Sequence, residues 1–115
     1  MIDLVDRSAR DVPAAAGRLS TTERLALTAG LDPAWRVIGD RLVRRFAFSD
    51  FAAAAAWAAA IAPLADAEDH HPELVVAWGR VDVTLTTHDV DGLSERDLIV
   101  AAKLDRAYAT RGSSR

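Results

Sequence analysis

The reading of residues 66–97, DAEDHHPELVVAWGRVDVTLTTHDVDGLSERD, decides the fold. Its first residues close an alanine-rich helical segment, and Pro72 ends any helix before it, because the residue preceding a proline is driven towards extended backbone. Residues 73–78 and 81–87 flank Gly79-Arg80 and read as a β-hairpin. In the second of them Val81, Val83 and Leu85 alternate with Asp82, Thr84 and Thr86, the period of a half-buried strand, and His88 continues the polar parity. After a turn over residues 89–92, Ser94-Glu95-Arg96-Asp97 is a capping-box pattern that predicts a helix through about Tyr108.

The same unit recurs upstream. Residues 34–38 and 42–48, separated by Gly39-Asp40-Arg41, predict a first hairpin in which Leu42, Arg44, Phe46 and Phe48 share a face. Ser49 or Asp50 then caps a helix over residues 51–68 whose alanines have the highest intrinsic helix propensity. Its predicted apolar stripe is Phe51, Ala54, Ala55, Ala58, Ile61, Ala62 and Ala65, with a kink or break at Pro63, which lacks a backbone donor. Ser20-Thr21-Thr22-Glu23 opens an earlier helix carrying Leu25, Leu27 and Leu31, ending near Gly30. The order is helix, two strands, helix, two strands, helix. The class is therefore α+β, a four-stranded antiparallel sheet with three helices on one face. Residues 1–19 lack periodicity and read as a poorly defined leader, residues 20–110 as one domain, and residues 111–115 as a frayed tail.

Totals narrow the function classes. With 115 residues the chain suits one domain. A balance of 14 Lys and Arg against 17 Asp and Glu, without a basic cluster, argues against nucleic acid as a ligand. Zero cysteine excludes disulfides, thiolate catalysis and cysteine-held metals. The longest apolar run is interrupted at Pro63 and is short of a membrane span, and the start of the chain lacks the pattern of a secretory signal. These features predict a soluble cytoplasmic domain.

All three histidines, His70, His71 and His88, lie in the central stretch, with Asp66 one helical turn before His70 and Asp97 beyond His88. Histidine exchanges protons near neutral pH, so the cluster suits general acid–base work. Taken residue by residue, blander roles compete: a surface histidine pair at a helix end, a solvated Asp66, and an Asp97 that simply completes a helix cap. Asp66, with its place one turn earlier, is expected to orient the ring of His70. A two-histidine, one-carboxylate metal set from Asp66, His70 and His88 is the rival, although no strong metal-ligand spacing is present. Nucleophile triads, phosphate loops and dinucleotide fingerprints are absent.

Asp66, His70-His71-Pro72, Trp78, His88 and Asp97, at their spacing, resemble the signature of the pterin-4a-carbinolamine dehydratases. Trp35, Arg44-x-Phe46-x-Phe48-x-x-Phe51, Trp57, Thr87-His88-Asp89 and Gly92-Leu93-Ser94-Glu95-Arg96-Asp97 extend the likeness over about residues 20–105. The resemblance implies a hydro-lyase that dehydrates 4a-hydroxytetrahydropterin to quinonoid dihydropterin. This step recycles the pterin after aromatic amino acid hydroxylation, which links the chain to a hydroxylase pathway. It implies His70 and His88 as general acids, His71 as a pterin-binding group and base, and Asp97 as a partner of the histidines. Asp66, His71, Pro72 and Trp78 would contact the substrate. It also implies no cofactor, the pterin being the substrate, no metal, and a homodimer or homotetramer. Members that serve only as dimerisation or assembly modules supply the alternative. Leu74 stands where many relatives have an aromatic residue, Asp69 where asparagine is frequent, and Pro63 is unusual in its helix.

Overall fold

In the computed structural model, residues 3–13 and 16–111 are described. The elements are α1 (Thr21–Thr28), β1 (Arg36–Ile38), β2 (Arg41–Ala47), α2 (Phe51–Glu68), β3 (Glu73–Ala77), β4 (Arg80–Leu85) and α3 (Glu95–Ala109). The sheet is antiparallel throughout, in the order β1-β2-β4-β3, so the two hairpins join through β2 and β4. The expected α+β class and element order are both present.

Each hairpin turns over two residues, one fewer than expected at Gly39–Arg41. Ile38 pairs with Arg41 and Ala77 with Arg80, leaving Gly39-Asp40 and Trp78-Gly79 as the loops. Gly39 and Gly79 hold φ of +61° and +76°, the left-handed region that glycine adopts without a Cβ clash. Pairing then sorts the side chains. Leu42, Phe46, Val81, Val83 and Leu85 fall on the inner face and are buried, while Arg45, Asp82 and Thr84 face out.

The inner face is covered by α2 and α3. Asp50 caps α2 by accepting the Ala53 N–H at 2.8 Å. The buried row of α2 is Ala54, Trp57, Ile61, Ala65 and Glu68. It differs from the predicted stripe: Phe51 and Ala62 are exposed, because the aromatic at Trp57 turns the helix towards the Phe46 ring. Phe46 and Trp57 lie 4.6 Å apart between centroids, and burial of a ring such as Phe46 is worth about 1.5–3 kcal/mol. Pro63 does not break the helix. The helix runs on as one element, with Pro63 on its exposed side. The capping box of α1 forms as predicted between Ser20 and Glu23, but none of its residues is buried and Leu25 is exposed. Leu31 and Trp35, after the helix, enter the core instead.

Residues 1–19 depart from the expected loose leader wherever they are described. Two short 3-10 turns, Leu4–Asp6 and Ala9–Asp11, lie against the body of the domain, and Ala9 and Val12 are buried. The segment is held through its backbone rather than by an apolar stripe: the Ala9 N–H donates to the buried Glu68 at 2.8 Å, and the Val12 carbonyl accepts from Arg96 at 2.8 Å. Such anchoring leaves no periodic trace in a sequence. The end of the predicted frayed tail, residues 112–115, lies outside the described residues. Among the described residues no helix is long and apolar enough to cross a membrane.

Candidate active site

Three chain ends meet at one end of the sheet: the C-terminus of α2, the segment after β4 and the N-terminus of α3. Asp69 closes α2 in the left-handed region, at φ 52°, a conformation that Asp tolerates better than most residues. The His70 N–H still reaches back to the Ala65 carbonyl at 3.2 Å. Pro72 then keeps the backbone extended, so His70 and His71 project to opposite sides.

His70 turns inward. Its Nε2 lies 2.6 Å from Asp97 Oδ1, and its side chain is 11 % exposed against 0 % for Asp97. The other oxygen, Oδ2, accepts the Thr87 hydroxyl at 2.7 Å and the Ser94 N–H at 3.0 Å. Thr87 and Ser94 hydroxyls are 2.8 Å apart, and the Ser94 side chain accepts the Arg96 N–H at 3.2 Å. Asp97 is thus both the reciprocal member of the α3 capping box and the partner of a histidine. A carboxylate removed from water in this way needs hydrogen-bond donors on both oxygens, and the three donors supply them.

His71 turns outward. Its Nε2 lies 2.9 Å from Asp66 Oδ1, and both side chains are largely exposed, at 60 % and 76 %. Asp66 therefore pairs with His71, not with His70 as its one-turn spacing suggests. The left-handed residue Asp69 reverses the chain between them, so helical spacing no longer applies beyond Glu68.

His88 is not a strand residue. β4 ends at Leu85, and His88 opens a short 3-10 turn, His88–Val90, after Thr87 has paired with Gly92. His88 is exposed. Together with His71 and Pro72 it lines a cleft of about 200 Å³, completed by Arg41, Glu73, Thr84 and Thr86. His70 is not among the residues that line this cleft. Trp78, expected to contact substrate, stands apart. It is 72 % exposed in the β3–β4 turn, at the opposite end of β3 from Glu73. Larger grooves of about 760 and 550 Å³ exist elsewhere, but no histidine lines either. Among the described residues no three of the His, Asp and Glu side chains are gathered as metal ligands.

The sequence reading missed Thr87 as a partner of Asp97, and Arg41, Glu73, Thr84 and Thr86 as walls of the cleft. The strand parity already in view could have found the last three, since Glu73 pairs with Thr84 and both face away from the core.

The sequence profile described as "Pterin 4 alpha carbinolamine dehydratase" matches residues 17–107, which include every group just described. The chain belongs to this family. Two bacterial relatives, both carrying pterin-4-alpha-carbinolamine dehydratase in their names, illustrate the closeness. The protein of Novosphingobium aromaticivorans is 47 % identical over 90 residues, covering 76 % of this chain and 93 % of its own. That of Alkaliphilus metalliredigens is 43 % identical over 89 residues, covering 76 % and 80 %. A crystal structure from Brucella melitensis, described as a transcriptional coactivator/pterin dehydratase, superposes with a TM-score of 0.74 at 36 % identity. It covers 80 % of this chain and 99 % of that one. Within this pterin-4a-carbinolamine dehydratase fold Leu74 packs partly buried against the core, so its departure from an aromatic residue bears on packing rather than on the cleft.

Proposed function

We propose that the chain dehydrates 4a-hydroxytetrahydropterin to quinonoid dihydropterin and water by histidine general acid–base catalysis. In this step the C4a–O bond breaks and its electron pair leaves with oxygen, which takes a proton to become water. N5 loses its proton, and the freed pair forms the C4a=N5 double bond. No electron is gained or lost overall. Hydroxide is a poor leaving group, so a proton donor at oxygen and an acceptor at N5 are the two needs, each typically worth about 10²–10⁴-fold.

The observation that carries the reading is the joint placement of His71 and His88 in one cleft, with His70 next to His71 in the chain and carboxylates against two of the three rings. His88, which has no side-chain partner among the described residues, supplies the proton to the departing hydroxyl. His71, steadied by Asp66, binds the ring and accepts the N5 proton. His70 acts as a second acid through Nδ1, its Nε2 being engaged by Asp97. Pro72 forms part of the wall. A homodimer or homotetramer belongs to the same reading, through strand edges or the exposed alanines of α2.

The test is the decay of 4a-hydroxytetrahydropterin followed in stopped flow, with and without a chelator. Acceleration over the spontaneous rate, insensitive to chelator, is expected. No acceleration overturns the enzyme reading in favour of an assembly module, a role compatible with the coactivator description of the Brucella protein. Chelator-sensitive turnover overturns the histidine mechanism.

A further inference from the structure

The N-terminal segment joins the two helix ends that carry the His70–Asp97 pair, and nothing in the dehydration chemistry requires it. We propose that residues 4–12 act as a positioning strap, with Arg10 its key residue, which sets the His70–Asp97 geometry from outside the site.

The last turn of α2 has no basic residue of its own, and its terminal carbonyls would otherwise face water. Arg10 supplies the missing cation from elsewhere in the chain. Its Nε donates to the Ala67 carbonyl at 2.6 Å and a second guanidinium nitrogen donates to the Asp66 carbonyl at 3.2 Å. A cation at a helix C-terminus also answers the helix dipole. One residue on, the Ala9 N–H donates to Glu68 Oε1, while Lys103 of α3 holds Glu68 Oε2 at 3.1 Å. The C-terminus of α2 is thus tied to the strap and, through Glu68, to α3.

The strap is tied at its other side to the first turn of α3. Arg7 pairs with Glu95, and Arg96 donates to the Val12 carbonyl. These are the residues immediately before Asp97. The span from α2 to α3 that the strap bridges is the one His70 and Asp97 close at 2.6 Å. Fixing both helix ends holds that short contact without asking it to carry the load alone. The residues matched by the family profile, 17–107, do not include the strap.

The turnover arm of the test rests on the proposed dehydratase activity; the spectroscopic arm does not. In the full chain, Arg10→Ala is compared with wild type by the exchange of the His70 Nε2 proton in ¹⁵N-edited NMR, by sheet amide protection, and by kcat and KM. The expected result is exchange about tenfold faster, the scale of losing a charge-assisted hydrogen bond, with amides of Val83 and Leu85 as protected as before. kcat falls similarly and KM stays within about twofold, while Arg10→Lys, which keeps the charge but cannot span both carbonyls, lies between. Unchanged His70 exchange overturns the proposal. So does parallel loss of sheet protection, which would make Arg10 a general structural residue. If Arg10→Ala does not fold, Arg10→Lys carries the test, and wild-type exchange in that variant overturns the proposal. Altered His70 exchange in a protein that shows no dehydratase activity in any form upholds the strap and sinks the function instead.

Discussion

His70 and His71 are neighbours in sequence, and so are Arg44 and Arg45, yet in each pair one side chain goes inward and the other out. His70 meets a fully buried Asp97 that three donors satisfy, while His71 meets Asp66 in water. Arg44, 10 % exposed, meets Asp105, which also accepts from Trp35 Nε1 at 2.7 Å, and lies over the Phe46 ring; Arg45, 65 % exposed, meets Asp82. Within each comparison the same two kinds of side chain meet. What differs is how much water is lost, and therefore how much depends on the partner staying in place.

The sharpest way to break this contrast is Asp97→Ala. It strands His70, the Thr87 hydroxyl and the Ser94 N–H together, and a stability loss of about 3–5 kcal/mol in urea unfolding is expected. A loss below about 1 kcal/mol would mean that water replaces the carboxylate freely. Next comes His70→Ala, which leaves one oxygen of Asp97 without its partner. Its cost in stability is about 1–3 kcal/mol, and in the stopped-flow assay turnover should fall by about 10²-fold or more while the fold survives. Asp66→Ala, on the exposed side, should cost no more than about 1 kcal/mol and lower turnover only several-fold. An effect equal to that of Asp97→Ala would erase the distinction between the two pairs.

The smallest effect is a difference in sign. Burial pushes the Asp105 carboxyl above its ordinary 3.8, despite its donors. The folded state then binds the proton more tightly than the unfolded one, so this group favours folding below about pH 4 and loses that contribution as pH rises through its raised value. Asp82 is the reverse. The hydrogen bond from Arg45 holds it below 3.8, so its contribution is present above that value and fades as pH falls. Urea midpoints taken between pH 3 and 7 should therefore show Asp105→Asn gaining on wild type as pH rises and Asp82→Asn losing on it. Parallel trends for both would show that burial does not govern the buried pair.

Much of this was legible beforehand because it depends on local periods. Strand alternation placed Phe46, Val81, Val83 and Leu85 inside, and hydroxyl-to-carboxylate spacing located the caps at Ser20 and Ser94. The stripe of α2 misled at Phe51 and Ala62, since many alanines fit several faces equally and only Trp57, by its bulk, selects one. Carried forward from Ala54, Ile61 and Ala65, that row predicts Glu68 as buried, which is the one sequence signal of the strap's anchor.

The sequence alone determined the α+β order and the sheet's inner face, because these follow from residue type at fixed spacing along a regular backbone; that His70, His71, His88 and Asp97 belong together was implied by the family resemblance. Only the tertiary structure decided which carboxylate serves which histidine. Asp97 reaches His70 across 27 positions of chain and Asp66 reaches His71 across five. It also set Trp78 away from the site and drew residues 4–12 onto the helix ends. Those choices rest on where an irregular residue such as Asp69 turns the chain and on which groups lose their water, and neither is a property of spacing.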